Sequence, residues 1–306
     1  MPGKRVLVLG QGAMGQAFEA LLSPRHDVAA WDRDLTTGVE TQPLEQAARE
    51  REVVVFALPA HPHDELAARL APCLQAGAVC FSIAKGLDER GRTPAQVFEH
   101  HFGTRIDWAL VYGPMLAREL QAGSDGFAMV ASTRPGAGER VRALFEGTAL
   151  RFQLLDDVHG AAWAAILKNV YVPLIGAADG LGLGDNLRGF LVAEATNELA
   201  RIVASMGGRP ETAYTLAGLG DLVTTATGAS SHHRRLGADL AVGRSSGLAA
   251  SGTYIRSEGV HAAAMVREHA LFAWERFELF ALVCDFLHDP ARLQQRLGDY
   301  VARRFG

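Results

Sequence analysis

Residues 5–15 read RVLVLGQGAMG. A run of aliphatic β-formers breaks at Gly10-Gln11-Gly12-Ala13-Met14-Gly15, and a helical pattern follows with Met14, Phe18, Leu21 and Leu22 on one face. A glycine spacing of this kind is common by itself, and the chain holds 33 glycines. Between a strand and a helix it is far more restrictive. There the first glycine makes the tight turn, the second lets the backbone approach a pyrophosphate, and the third lets helix and strand pack closely. The helix N-terminus then attracts the phosphate charge. The turn therefore predicts a dinucleotide site formed by Gly10, Gln11, Gly12, Ala13, Met14 and Gly15.

The same alternation continues. Strand-like runs recur at 26–31, 52–59, 77–86, 106–114 and 126–132, with amphipathic stretches at 43–50, 63–71, 93–101 and 136–146. Strands separated by helices of about ten residues argue for βαβ units and a buried, mostly parallel sheet. Near residue 156 the pattern changes to helix after helix: 159–178, 187–206, 232–241, 258–270, 276–287 and 290–304. Glycine and serine cluster between them at 205–210 and 243–252. The expected fold is α/β, a Rossmann-type N-terminal domain over 1–157, followed by an all-helical domain over 158–306 that carries substrate and catalytic groups.

Composition removes several classes of partner. With 30 Lys plus Arg against 34 Asp plus Glu the net charge is −4, and no basic stripe interrupts the chain. Nucleic acid and anionic membrane surfaces are not expected partners. No stretch of about 18 apolar residues runs free of charge or clustered glycine, so no membrane span is expected. The N-terminus enters a strand at once and lacks the long apolar region of a secretory signal. Cys73, Cys80 and Cys284 are few, odd in number and without metal spacing, which suits reduced thiols in the cytoplasm and predicts no metal site.

Cation usage is uneven: only Lys4, Lys85 and Lys168 are lysines, so arginine does the ordinary surface work. Lys85, in SIAKGL, follows the fourth strand. Ligands of open α/β sheets bind at the carboxyl ends of strands, which directs Lys85 towards the cofactor crevice. Lys168 lies in AAWAAILKNVYVPLIGAADG, on the helix face shared by Ala161, Ala164, Ala165, Val172 and Ile175. A lysine there is either desolvated beside a cleft, with a lowered pKa suited to proton transfer, or it snorkels to water along its own stem. At the end of the second strand, Asp32 is placed to accept from a ribose 2′-hydroxyl and favours NAD. Its neighbour Arg33 suits a 2′-phosphate or stacks on adenine. The balance leans to NAD over NADP.

The motifs GQGAMG, AKGL, YGPMLARE, LKNV, DGLGLGDNLR, LAGLGDL and SEGVHAAAMV occur in that order over nearly the whole chain. The series resembles the bacterial NAD(P)-dependent glycerol-3-phosphate dehydrogenases. LKNV, DGLG-G-N-R and GLGDL are its most specific parts. The resemblance implies hydride transfer between a nicotinamide and dihydroxyacetone phosphate, which yields the phospholipid precursor sn-glycerol 3-phosphate. It makes Lys168 the general acid/base and puts Lys85 beside both substrate and cofactor. It adds Asn169, Asp221 and Thr225 as active-site groups. Gly113 comes beside the substrate, Ala117 beside the nicotinamide, and Glu258 against the cofactor from the helical domain. A cytoplasmic homodimer is also implied, with Leu271, Phe272, Trp274 and Phe277 buried either internally or against a second copy.

The chain departs from the family pattern at the expected phosphate site. Where the family has a serine, an arginine and an asparagine at a helix start, this chain has Ser231, His232 and His233, followed by Arg234. An arginine fork is always charged and bidentate, whereas a histidine offers fewer donors and titrates. Ser231, the helix start and Arg234 are left to meet a phosphate. Met115 replaces a serine, Met14 an aromatic residue, and Tyr112 a small one. Two further readings therefore accompany the first: a dehydrogenase of the same architecture acting on another small keto or hydroxy compound, and a dinucleotide-binding regulator without turnover.

Overall fold

The computed structural model describes residues 3–33, 43–244 and 258–306. Asp34, Ser257 and most of the 243–252 glycine–serine cluster lie outside them. The chain forms two compact units, residues 1–162 and 163–306.

In the first unit, seven strands form one sheet in the order β2-β1-β3-β4-β5-β6-β7. The strands are β1 (Arg5–Leu9), β2 (Asp27–Trp31), β3 (Val53–Phe56), β4 (Val79–Ser82), β5 (Asp107–Tyr112), β6 (Gly126–Ala131) and β7 (Leu150–Leu155). All pairings are parallel except β5 with β6. Parallel neighbours need a crossover, and the helices α1 (Ala13–Leu22), α2 (Leu44–Ala48), α3 (His63–Leu70), α4 (Pro94–Phe102) and α6 (Pro135–Leu144) supply it. Only the short α5 (Ala117–Gln121) stands between β5 and β6, a connection that suits an antiparallel return. Val6 to Leu9 and Val54 to Phe56 are fully buried, which accounts for their unbroken apolar runs. β7 was not among the expected strands. It is an edge strand whose residues Arg151, Gln153 and Leu154 are exposed, so it lacks the buried aliphatic run that marks the others.

The second unit is helical: α7 (Val158–Gly180), which begins in the first unit, then α8 (Asp185–Ser205), α9 (Asp221–Thr227), α10 (His232–Ala241), α11 (Glu258–His269), α12 (Glu278–His288) and α13 (Leu293–Phe305). Among the described residues α7 is the one helix long and apolar enough to cross a membrane, and its apolar stretch is buried inside the protein. Glycines of α7 and of the helices packed on it let backbones touch. A Cβ added at Gly237 of α10 would lie 1.7 Å from the Pro173 carbonyl oxygen, and one at Gly176 would lie 2.0 Å from that of Arg234. Pro173 has no N–H to give the Asn169 carbonyl one turn back, and α11 meets that carbonyl at Gly259, where a Cβ would lie 2.0 Å from the oxygen. Glu198 of α8 accepts the Leu279 and Phe280 N–H groups that open α12, and the Tyr171 hydroxyl. Phe272 and Phe277 pack against each other, with Phe280 also on Phe272, so these two aromatics are buried within the unit.

Candidate active site

The glycine turn sits where β1 ends. Gly10 adopts a φ of +94° and its N–H donates to the Trp31 carbonyl at 2.8 Å. A Cβ at Gly15 would lie 1.8 Å from the Gly10 oxygen, so the third glycine permits the contact between turn and helix. A Cβ at Gly12 would meet nothing within 4 Å. The second glycine therefore leaves the approach to α1 open, and Gly12 caps that helix without a side-chain acceptor. Ala13 and Met14 open its first turn, with Met14 packed against the core. These N–H groups suit an anion.

Asp32 ties the turn to the end of β2: its carboxylate accepts the Gln11 N–H at 2.6 Å. Arg33 pairs with Glu65 at 2.7 Å, both side chains being largely exposed. The Gln11 side chain is buried, and its Nε2 has no hydrogen-bond partner among the described residues. An orphaned donor beside an open helix N-terminus fits a dinucleotide phosphate at this turn.

Lys85 follows β4 and Gly113 follows β5, so both stand at the same carboxyl edge of the sheet as the glycine turn. Gly113 is tightly placed, since a Cβ there would lie 2.3 Å from the Phe127 carbonyl oxygen of β6. Ala117 begins α5 and packs on the hydrophobic core. Met115 is buried in that same core cluster. Its thioether is thus accounted for by packing, and it says little about substrate. Tyr112, expected only as a departure, is fully buried and donates from its hydroxyl to the Ala84 carbonyl at 2.8 Å.

In the helical unit, Lys168 is 4 % exposed and Asp221 3 %. The Lys168 ammonium lies 3.2 Å from Asp221 Oδ2 and donates to Thr225 Oγ1 at 2.8 Å. Thr225 in turn donates to the Asp221 carbonyl at 2.7 Å, which turns its lone pairs towards the lysine. Lys168 therefore does not snorkel to water. α9 brings Asp221 and Thr225, one turn apart, onto the buried face of α7. Asn169, next along α7, is also buried. Glu258 is the first residue of α11, where an acidic side chain complements the helix dipole.

The start of α10 is built differently from the expectation. Ser231 is its N-cap and its hydroxyl accepts the Arg234 N–H at 3.2 Å. The Arg234 side chain turns to α7, where its Nε donates to Asp179 Oδ2 at 2.7 Å. Asp179 also receives Arg188 at 2.8 Å. Asp179 was not foreseen, because nothing in DGLGLGDNLR marks one of its two aspartates as the partner of arginines 9 and 55 residues away. His232 is exposed, with its Nδ1 2.9 Å from Arg235 Nη2, while His233 is partly buried. Among the described residues no His, Cys, Asp or Glu group could hold a metal ion.

Residues 34–137 match the family model for the N-terminal part of NAD-dependent glycerol-3-phosphate dehydrogenase, and residues 157–297 match the model for its C-terminal part. The chain is 36% identical to a glycerol-3-phosphate dehydrogenase [NAD(P)+] of Thioalkalivibrio sulfidiphilus, over 80% of each chain. It is 30% identical to one of Agrobacterium fabrum, over 97% of this chain and 98% of the other. The crystal structure of glycerol-3-phosphate dehydrogenase from Coxiella burnetii shares the fold, with a TM-score of 0.86 and 24% identity over 98% of this chain and 99% of that one. Two family models that together cover most of the chain, with relatives at this identity along its length, show that it belongs to the NAD-dependent glycerol-3-phosphate dehydrogenase family.

Proposed function

We propose that this protein is an NAD(P)-dependent oxidoreductase that interconverts dihydroxyacetone phosphate and sn-glycerol 3-phosphate, the latter serving phospholipid synthesis. The observation that carries this reading is the buried Lys168–Asp221–Thr225 cluster. When bound, the reduced nicotinamide supplies the hydride. Reduction of a ketone also requires a proton at the carbonyl oxygen, where negative charge builds as the carbon is reduced. Lys168 stabilises that charge and donates the proton from Nζ, and in the reverse direction it takes the proton back. Asp221 and Thr225 hold the ammonium in a single orientation, and Asn169 is proposed as a further polar group of the site. Lys85 and Gly113 are assigned to the substrate.

The dinucleotide is assigned to Gly10–Gly15, with Gln11 Nε2 as an added donor and Ala117 and Glu258 as further contacts. Asp32 favours NAD: it is anchored at the turn and would repel a 2′-phosphate, while Arg33 is engaged by Glu65. The reading includes a homodimer in the cytoplasm, and the three free thiols suit a reducing compartment.

A second reading follows from α10. Ser231, His232, His233 and the helix start are assigned to the substrate's phosphate, but the Arg234 guanidinium is bonded to Asp179. A weakly held phosphate suits a different small keto compound on the same machinery. The test is NADH and NADPH oxidation with dihydroxyacetone phosphate beside unphosphorylated dihydroxyacetone. Turnover with the phosphate ester alone, faster with NADH, supports the first reading. Equal or greater turnover with the unphosphorylated ketone contradicts it.

A further inference from the structure

The backbone that carries Lys85 is held by side chains to which the reaction as described gives no task. His63, the first residue of α3, is fully buried. Its ring lies between those of Phe56, with centroids 5.1 Å apart, and Phe98, at 5.8 Å. His63 Nδ1 is 3.0 Å from the Pro59 carbonyl and Nε2 is 2.7 Å from Ser82 Oγ. A carbonyl only accepts, so the ring proton is on Nδ1. In the neutral ring Nε2 is then the acceptor, and the Ser82 hydroxyl donates to it. Burial favours that neutral ring, pushing the His63 pKa down to about 4.

Ser82 Oγ also accepts the Ala84 N–H at 3.1 Å, and the Ala84 carbonyl accepts the Tyr112 hydroxyl at 2.8 Å. Both backbone polar groups of the residue before Lys85 are thus bonded to side chains. The donors and acceptors run in one consistent direction through buried groups from α3, β4 and β5. Apolar side chains in their place would leave the buried Ala84 N–H and carbonyl without these partners. The polar chain adds direction: it fixes the peptide units on both sides of Ala84, and so the Cα–Cβ vector of Lys85.

We propose that Ser82, His63 and Tyr112 are positioning residues that set the placement of the Lys85 ammonium for substrate. The inference rests on reading Lys85 as the substrate-side lysine. Its test is a double-mutant cycle. Tyr112→Phe removes a single oxygen and keeps the ring that fills the core; Ser82→Ala is the companion variant. Each is made alone and together with Lys85→Ala, and three quantities are read: kcat and KM for dihydroxyacetone phosphate, NADH affinity by fluorescence, and Tm. In the Lys85 background, Tyr112→Phe and Ser82→Ala should each lower kcat/KM roughly tenfold, chiefly by raising KM, with NADH affinity unchanged within about twofold. In the Lys85→Ala background the same changes should have less than about a twofold effect.

Equal losses in both backgrounds would overturn the proposal, because the hydroxyls would then act on the fold and not through Lys85. No loss in either background would overturn it as well. If Lys85→Ala itself left kcat/KM unchanged, the substrate role of Lys85 would fall first. That result is separable from the other two, since it appears in the single variant.

Discussion

The contact between Lys168 and Asp221 is one that stability alone does not reward. Withdrawing two charges from water costs several kcal/mol each, and well-packed apolar residues in their place are often no less stable. A lysine kept in a helix of alanines, valines and isoleucines is therefore best explained by what its proton can do. Half of this was legible in the sequence. The rarity of lysine and the apolar neighbours of Lys168 singled it out, but its partner Thr225 lies 57 positions away. No periodic pattern joins residues so distant, and only the family resemblance brought Asp221 and Thr225 to the site. For Arg234, whose charge suggested a phosphate ligand, the structure adds a partner that the sequence did not show: its Nε pairs with Asp179. A variant with His232→Arg and His233→Asn, restoring an always-charged fork, should lower KM for dihydroxyacetone phosphate by roughly tenfold with little change in kcat. Steady-state kinetics would check this, and an unchanged or higher KM would mean that the α10 start does not hold the phosphate.

At the scale of elements, α7 organises the helical unit because its small residues let other backbones reach it. The sequence showed the small, apolar character of this helix but not which partner each glycine serves, since a glycine's reason lies in the element across from it. Gly237 is the sharpest case, with a Cβ there only 1.7 Å from the Pro173 carbonyl oxygen. Gly237→Ala should force α10 away from α7 and destabilise the protein by about 1–3 kcal/mol, which a denaturant titration would read. A change within about 0.5 kcal/mol would show that the two helices can part freely. Among the strands, those buried on both faces announced themselves as aliphatic runs. β7 did not, because an edge strand with exposed Arg151 and Gln153 needs no such run. α5 escaped for a related reason: five residues are too few to display a helical period.

For the molecule as a whole, acid stability draws on carboxylates held low by ion pairs, such as Asp64, and on buried groups that stay neutral. His63 is the clearest. Its pKa falls from 6.5 to about 4 on folding, because burial disfavours the charged ring. The unfolded chain therefore binds more protons between those values. Stability from the neutral ring is complete above about pH 6.5 and is lost as pH falls towards 4, a loss of roughly 3 kcal/mol at the low end. Urea midpoints should accordingly drop between about pH 7 and about pH 5, and drop less in His63→Gln; parallel declines in the two proteins would show that other groups govern the acid limb. The proton donor in ketone reduction is tested by single-turnover oxidation of NADH by dihydroxyacetone phosphate in Lys168→Ala, with NADH affinity determined on the same sample. If Lys168 gives the proton, the rate falls by a factor on the order of 10² or more with nucleotide affinity nearly unchanged. A rate near that of the unaltered protein would contradict that role.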